Sequence, residues 1–167
     1  MIKIKFLLLL TTILLIAISC SNSDDTVVEI SYSAEDLQKM HSNSSKSWRI
    51  DNFYDDYEQN ILSDFNDCYK DDTFNFFKDT NIIETQLGDM PCVSIIGNQE
   101  IATITYNFYE NTGEVFINVT RSETNGTNFK TLFFLLELEE LSDTKMVFSS
   151  GEKGNYGKTL VFVSKKN

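Results

Sequence analysis

The chain has 167 residues, of which 41% are hydrophobic, so it is long enough for one domain with a substantial core. Acidic residues outnumber basic ones by 25 to 14, which gives a formal net charge of −11 at pH 7. This balance argues against nucleic-acid binding and against electrostatic adsorption to anionic lipid, because both require a positive surface.

The N-terminus has the pattern of a signal peptide. Lys3 and Lys5 precede an apolar run, Phe6–Ile18, that is shorter than the roughly 20 residues needed to span a bilayer. The letters AISC at residues 17–20 resemble a bacterial lipobox, although alanine stands where leucine is usual. The resemblance implies that residues 1–19 are removed and that Cys20 is acylated with chains such as palmitate. An ordinary signal peptide followed by a chance cysteine is the alternative.

Removing the signal changes how the chain can attach to a membrane. The loss of Lys3 and Lys5 deepens the net charge from −11 to −13. Attachment then depends on the acyl chains of Cys20, each worth about 0.8 kcal/mol per buried methylene. Residues 20–32 form a lipidated tether, and its SNSDD segment is similar to the export signal of surface lipoproteins of the Bacteroidota. We therefore expect a surface-exposed, outer-membrane lipoprotein of a Gram-negative bacterium, with a plain solvated spacer as the alternative.

The two remaining cysteines predict a disulfide. With Cys20 assigned to lipid, Cys68 and Cys92 are left as a pair in an exported chain, where disulfides can form. Closing a loop of about 25 residues would stabilise the fold by roughly 3–4 kcal/mol in the chain-entropy model. Metal ligation is the alternative, but two cysteines and the single His41 do not complete a four-ligand zinc site.

One helix is predicted near the start of the mature domain. Ser33 and Asp36 have the spacing of a capping box, which predicts a short helix over residues 34–42. Leu37, Met40 and His41 then share one helical face. A histidine in this position is more often packed or at the surface than a general base, so we do not expect catalysis through it.

Alternation with a period of two begins after this helix and predicts antiparallel strands. The predicted strands of the first half are Trp48–Asp51, Thr73–Phe77 and Ile82–Leu87, and Asp51–Asp72 is predicted to be a long acidic loop.

The second half of the chain predicts a meander of strands and tight turns. A strand over residues 102–108 is followed by a turn at residues 111–113 and a return strand over residues 115–119. The next turn is expected over residues 123–128. Phe129–Leu138 is apolar on both faces, which predicts a covered, central strand. Lys145–Ser149 and Lys158–Ser164 complete a set of seven to nine strands.

This element list predicts one mostly β domain over residues 33–167. Meanders of this kind close into a barrel or fold as a two-sheet sandwich, and closure removes exposed strand edges.

Several motifs resemble a known family. The segments KSWRI at residues 46–50 and DCYKDDTFNF at residues 67–76, followed by Cys92, are similar to the lipocalin-like domain of Bacteroidota lipoproteins. The similarity extends over about residues 36–165, although the Gly-x-Trp that often follows the second cysteine is missing from residues 99–106. The resemblance implies a single antiparallel up-and-down β-barrel, and it implies this shape more firmly than any ligand.

The acidic segment offers a weak candidate for a calcium site. Hard cations take six to eight oxygen ligands, and Asp55, Asp56, Asp71 and Asp72 could supply some of them. Their spacing does not match an EF-hand, and a solvated loop is the plainer interpretation. No motif indicates a catalytic centre or a cofactor, so we expect the protein not to be an enzyme.

The aromatic residues on predicted inward faces bear on function. An eight-stranded barrel is just wide enough to be filled by side chains or to hold one small ligand, and large aromatics favour filling. If the barrel is hollow, we expect a non-catalytic binder of a small hydrophobic or amphipathic ligand; this is our first expectation. The alternative is a protein-interaction or structural subunit of a cell-surface assembly with a filled barrel. The candidate ligand-binding residues are Trp48, Phe74, Phe76, Tyr106 and Phe108.

Overall fold

A computed structural model describes residues 31–93, 100–123 and 131–165. Within these ranges the chain forms two short helices and nine strands. They are, in chain order, α1 Gln38–His41, β1 Ser45–Asp56, β2 Ile61–Leu62, α2 Asn66–Lys70, β3 Thr73–Phe77, β4 Ile82–Gln86, β5 Glu100–Tyr109, β6 Glu114–Glu123, β7 Thr131–Leu141, β8 Lys145–Ser149 and β9 Thr159–Ser164.

The strands form a closed, antiparallel, up-and-down barrel. Neighbouring strands pair in the order β2-β1-β3-β4-β5-β6-β7-β8-β9, and β1 also pairs with β9. Eight strands therefore close the barrel, and β2 adds one short extra strand to the end of β1. The predicted barrel is confirmed, and the sandwich alternative is excluded. Closure matters because it leaves each of the eight strands paired on both sides.

The β5–β6 hairpin is the longest regular pairing in the barrel. Ile104 lies opposite Val119 and Tyr106 opposite Ile117, so that the inward residues of the two strands face each other. The turn ends at Gly113, which has a φ of +78° that favours glycine. The predicted hairpin turn is therefore confirmed at this position.

The core lies inside the barrel and is covered at both ends. Since α1 precedes the first residue of β1 and α2 follows its last, the two helices lie at opposite ends of the barrel. Leu37 and Met40 reach the core from the first end, and Cys68 and Tyr69 from the second. The barrel strands supply the rest of this buried cluster: Trp48, Ile50, Phe53, Phe74, Phe76, Ile83, Ile104, Tyr106, Val115, Ile117, Val119, Leu136, Leu138, Met146, Phe148, Leu160 and Phe162.

The first helix is shorter than predicted. The capping box forms, since Asp36 accepts the backbone N–H of Ser33 and Ser33 Oγ accepts that of Asp36. Residues 34–37 nevertheless form turns rather than an α-helix, and α1 spans only Gln38–His41. Ser42 and Asn43 then adopt positive φ values of 52° and 65°, because the chain must reverse sharply to enter β1.

The prediction of an acidic loop over residues 51–72 is wrong. Strand β1 continues to Asp56, and β2 and α2 occupy much of the remainder. The pairing of β1 with β9 shifts register between Ile50 and Asn52, which is a β-bulge or similar irregularity. As a result Ile50 and Phe53, which are three residues apart, both belong to the core cluster. This spacing breaks the alternation with a period of two, so the pattern did not predict that the strand continues.

The seventh strand is not covered on both sides as predicted. Leu136 and Leu138 point into the core, but the outward Phe133 and Leu135 are 59% and 50% exposed. No other described element packs over them. Most of the turn expected over residues 123–128 lies outside the described residues.

Candidate functional site

The aromatic residues expected to bind a ligand lie mainly in the core. Trp48, Phe74 and Phe76 are completely or almost completely buried, and Tyr106 is buried close to Phe76 with ring centroids 6.1 Å apart. Phe108 is only partly buried and packs at the margin of the same cluster. The structure thus brings these side chains together, but as a packed interior whose surfaces are already used by one another.

Phe162 is a central contact for this interior. Its ring centroid lies 5.3 Å from that of Phe74, 6.0 Å from that of Phe76 and 5.7 Å from that of Phe148. All three pairs meet edge to face, an arrangement that aromatic side chains prefer. Side chains from β3, β8 and β9, which lie close together in the barrel wall, therefore meet in its interior.

Trp48 is also held through its polar edge. Its indole Nε1 donates a hydrogen bond to the backbone carbonyl oxygen of Met40 at 2.8 Å. The ammonium of Lys46 lies 4.5 Å from the ring centroid. The tryptophan therefore joins α1 to the barrel, and a ligand could stack on it only by displacing these groups.

A charged cluster that the sequence analysis missed is sealed inside the barrel near α2. Arg121 donates from Nη1 to Oε1 of Glu100 at 3.1 Å and from Nη2 to Oδ2 of Asp72. All three side chains are almost inaccessible to solvent. The carboxylates also accept backbone N–H groups, that of Cys92 at Glu100 and that of Gly88 at Asp72. Buried charges need this kind of pairing.

Tyr69 completes the cluster. The guanidinium carbon of Arg121 lies 4.8 Å from the centroid of the tyrosine ring, a cation–π arrangement. Burial raises the pKa of Tyr69 to about 12, and burial also raises the pKa of Asp72 against the opposing effect of Arg121. Nε of Arg121 and the hydroxyl of Tyr69 are buried without a hydrogen-bond partner. Solvent is therefore excluded from the cluster.

One sequence signal could have revealed this cluster. The inward positions of β6 read Val115, Ile117, Val119 and then Arg121, so the alternation places an arginine where a core residue is expected. An inward arginine requires a buried acidic partner, and two are present. Its partners Asp72 and Glu100 lie far away in the chain, and only the strand pairing brings them close.

The predicted Cys68–Cys92 disulfide is confirmed. The bond joins α2 to the segment after β4, with the two Cα atoms 5.2 Å apart. The same segment is held by Asp71, which accepts the backbone N–H of Met90. The disulfide therefore fastens the end of the barrel that lies directly over the buried charges.

The four candidate calcium ligands are not brought together. Asp55 pairs with Lys158 at 2.9 Å, and Asp56 accepts two hydrogen bonds from Gln59. Asp71 and Asp72 are engaged by the backbone of the segment after β4 and by Arg121. Among the described residues no three His, Cys, Asp or Glu residues are grouped so as to hold a metal ion.

A polar cleft of about 700 Å³ lies beside α1. Its lining includes Asp36, Lys39 and Asp143, and it opens widely to solvent. His41 lies on the buried side of the same helix, where burial lowers the pKa of its imidazole and Nδ1 has no hydrogen-bond partner. In this lining Lys39 pairs with Asp36 at 2.9 Å, and Asp36 also accepts a hydrogen bond from Ser33 Oγ.

The outer surface of the barrel is covered unevenly. On β8 and β9, the outward Val147 and Val161 are buried beneath Tyr54 and Tyr57. Tyr57 is itself held by the ring of Tyr156 at 5.6 Å. The outward apolar residues on this side are therefore covered by Tyr54 of β1 and by Tyr57 after it, while the outer side of β7 stays open.

No family model, curated protein or solved structure matches the chain. The resemblance to the lipocalin-like lipoproteins therefore stays a prediction. The predicted signal peptide at residues 1–19, the predicted acylation site Cys20 and nearly all of the predicted tether at residues 20–32 lie outside the described residues. Within the described part of the chain, no helix has the length and apolar character needed to cross a membrane.

Proposed function

We propose that this chain is a non-catalytic, surface-exposed lipoprotein of the outer membrane whose lipocalin-like barrel is an interaction or structural subunit of a cell-surface assembly. The lipobox-like AISC at residues 17–20 and the polar segment after it support the anchor. The choice between a ligand binder and an interaction subunit rests on the interior of the barrel.

The filled interior is the observation that carries this proposal. An eight-stranded barrel has room either for its own side chains or for one small ligand. Here Trp48, Phe74, Phe148 and Phe162 are all completely buried at its centre. A binder of hydrophobic molecules would need that volume to be empty. We therefore favour the interaction function over ligand binding, which was our first expectation from the sequence.

One observation favours ligand binding as the second candidate. Near α2 the partly buried ring of Phe134 lies 5.3 Å from that of Phe53, and the ammonium of Lys158 lies 5.4 Å from the Phe134 centroid. An apolar surface beside a cation suits the head and tail of an amphipathic acid. Lys158 already pairs with Asp55, however, so a ligand would have to compete with that carboxylate.

The anchor is tested by metabolic labelling with an alkyne-bearing fatty acid in cells that express the full chain. We expect label on the wild-type protein and none on Cys20→Ala. In a second experiment, protease added to intact cells should degrade the wild-type protein, because its domain is exposed at the cell surface. Equal labelling of both proteins would contradict acylation at Cys20, and protection from protease would place the domain on the periplasmic side.

The filled barrel is tested by native mass spectrometry of the protein released from the envelope. We expect the mass of the mature chain with its covalent acyl groups and no further mass. A non-covalently bound lipid that Lys158→Ala reduces would favour the second candidate over the proposed function.

A further inference from the structure

The outward surface of β5, β6 and β7 forms a continuous area without any charge, which we name the uncharged face. Ladder pairing sets Asn118 of β6 between Thr105 and Leu135, and Thr120 of β6 between Thr103 and Phe133. The exposed Ile82 extends the row of Thr105 onto β4. The members of the face are Ile101, Thr103, Thr105 and Asn107 on β5, Phe116, Asn118, Thr120 and Ser122 on β6, and Thr131, Phe133 and Leu135 on β7.

The large apolar members of this face stay open to solvent. Phe133 and Leu135 are exposed and lie two residues apart on the same side of β7, and Ile101 is exposed on β5. This differs from β8 and β9, where tyrosine side chains bury the outward valines. Contiguous apolar surface that a protein leaves uncovered commonly marks a contact with another molecule.

The charge of the rest of the chain indicates which kind of partner could dock on the uncharged face. The mature chain carries a net charge of −13, and acidic residues such as Glu84, Glu114 and Glu137 border the face. A basic partner would gain most by docking on the acidic surface. For a partner as acidic as this chain, such as a second copy of it, the uncharged face is the surface where approach brings the fewest like charges together.

We propose that the uncharged face is the interface of a homodimer, in which a second copy of this chain packs its own β5–β7 surface against the first. Sheet faces pack at about 10 Å with interdigitating side chains, and Phe133, Leu135 and Phe116 supply the apolar centre. A two-fold axis makes such an interface self-complementary.

The orientation of the two copies follows from where the carboxylates lie. Glu114 and Glu137 border the end of the face next to the β5–β6 turn, whereas Ile101, Ser122 and Thr131 form the other end. A two-fold axis that lies in the interface and runs perpendicular to the strands reverses the strand direction between the two copies. The end bordered by Glu114 and Glu137 in one copy then faces the end formed by Ile101, Ser122 and Thr131 in the other. This arrangement separates the like charges.

The position of the N-terminal segment is compatible with this dimer. The contribution of lipid anchoring to dimer formation rests on the proposed function. Tyr32 donates its backbone N–H to Gly113 O at 2.8 Å, so the start of the described chain lies at the β5–β6 turn. Lipid anchoring would confine the copies to one surface and raise their effective concentration.

The test is sedimentation velocity of the mature chain carrying Cys20→Ser, with and without Leu135→Glu. Residue 20 lies outside the described residues, and this substitution removes the thiol proposed to carry the anchor. We expect a dimer with a Kd in the micromolar range, weakened at least about tenfold by Leu135→Glu, since a carboxylate would be buried between two acidic copies. Ile61→Glu is the matched control, because Ile61 and Leu135 are each 50% exposed.

Salt dependence separates the second copy from other occupants. Repulsion between two chains of −13 is screened by salt, so the dimer should become tighter as sodium chloride is raised from about 0.1 M to 1 M. A monomer at all concentrations, a dimer weakened by salt, or a dimer equally sensitive to Ile61→Glu would overturn the proposal. A monomer that binds phospholipid vesicles or another protein through Leu135 would overturn it in favour of that occupant.

These outcomes are independent of the tests of the anchor and of the filled barrel. A monomer that is acylated in cells and free of ligand would overturn the dimer alone. A dimer made by a chain that takes up no fatty acid would overturn the anchor alone. Near-ultraviolet circular dichroism of Leu135→Glu checks that the variant keeps its tertiary packing, as we expect for a substitution at the surface.

Discussion

Arg121 donates a hydrogen bond from Nη1 to Oε1 of Glu100 at 3.1 Å, and both side chains are sealed inside the barrel. Asp72 accepts from the other terminal nitrogen of the same guanidinium. One arginine therefore holds two carboxylates that come from the start of β3 and the start of β5. The barrel end near α2 depends on this arginine, because without it two acidic groups would remain buried with no cation among them.

Replacing Arg121 by methionine should therefore be strongly destabilising. Removing one partner of a buried ion pair leaves an uncompensated charge, which costs about 3–5 kcal/mol. We expect the free energy of unfolding in urea to fall by about this amount. Adding Asp72→Asn and Glu100→Gln to the same variant should recover part of the loss, since neutral amides are less costly to bury.

Arg49 provides the control for that experiment. It pairs with Asp51 at 3.1 Å, but both side chains are more than 40% exposed. Exposed pairs contribute about 0–1 kcal/mol, so Arg49→Met should change the free energy of unfolding by no more than that. Equal losses in the two methionine variants would show that the buried cluster has no special part in stability.

The disulfide should also contribute to stability. Cys68 and Cys92 are 24 residues apart in the chain, and in the chain-entropy model a loop of this size is worth about 3–4 kcal/mol. The double variant Cys68→Ala/Cys92→Ala should lose this amount in urea unfolding. Mature protein prepared from the envelope should show no free thiol by titration, and two reactive thiols would contradict the bond.

Glu139 predicts a dependence of stability on pH. Partial burial, aided by the neighbouring Glu137, Glu152 and Glu140, raises its pKa from 4.5 to about 6. The folded state therefore holds the proton more tightly than the unfolded state. The contribution of this group to the free energy of unfolding falls as the pH rises from about 4.5 to above 6.

Urea unfolding of the wild type and of Glu139→Gln across that pH range measures this effect. The glutamine variant should lose less stability than the wild type between pH 4.5 and pH 7, because it has no proton to release at this position. Parallel pH profiles for the two proteins would count against the raised pKa of Glu139.

Gly113 should tolerate alanine worse than another glycine with positive φ. A Cβ there would clash with Oγ of Ser31 and lie 2.8 Å from the backbone nitrogen of Tyr32, besides straining a φ of +78°. We expect Gly113→Ala to cost more than about 1 kcal/mol in thermal or urea unfolding. At Gly154 the φ is +95° and no atom lies within 4 Å, so Gly154→Ala isolates the backbone strain alone. A larger loss at Gly154 would exclude the contact with the N-terminal segment as the cause.

Elements with regular local patterns could be predicted closely. Strand β3 spans Thr73–Phe77 as predicted, and the hairpin of β5 and β6 turns at Gly113. In both places inward and outward residues alternate without interruption, and a turn residue marks the end. The disulfide was predictable because compartment and cysteine count left few alternatives.

Irregular elements and the charged cluster could not be predicted in this way. A register shift in β1 changes which residues face inward, so Phe53 and Tyr54 look like parts of a loop. The partners of Arg121 at positions 72 and 100 become neighbours only when the strands pair. The candidate aromatics were placed correctly on inward faces, but whether they surround a cavity depends on rings such as Phe162 that reach them from distant strands.

The sequence by itself determined the fold class, the paired cysteines and most strand positions, because alternation and turn residues act between near neighbours in the chain. Tertiary structure alone decided that the barrel closes through β1 and β9, that aromatic side chains fill it and that Arg121 is neutralised by two distant carboxylates. It also decided that Phe133 and Leu135 remain exposed, whereas Val147 and Val161 are covered. These features depend on which strands become neighbours. The alternation of inward and outward residues along one strand does not specify its neighbours.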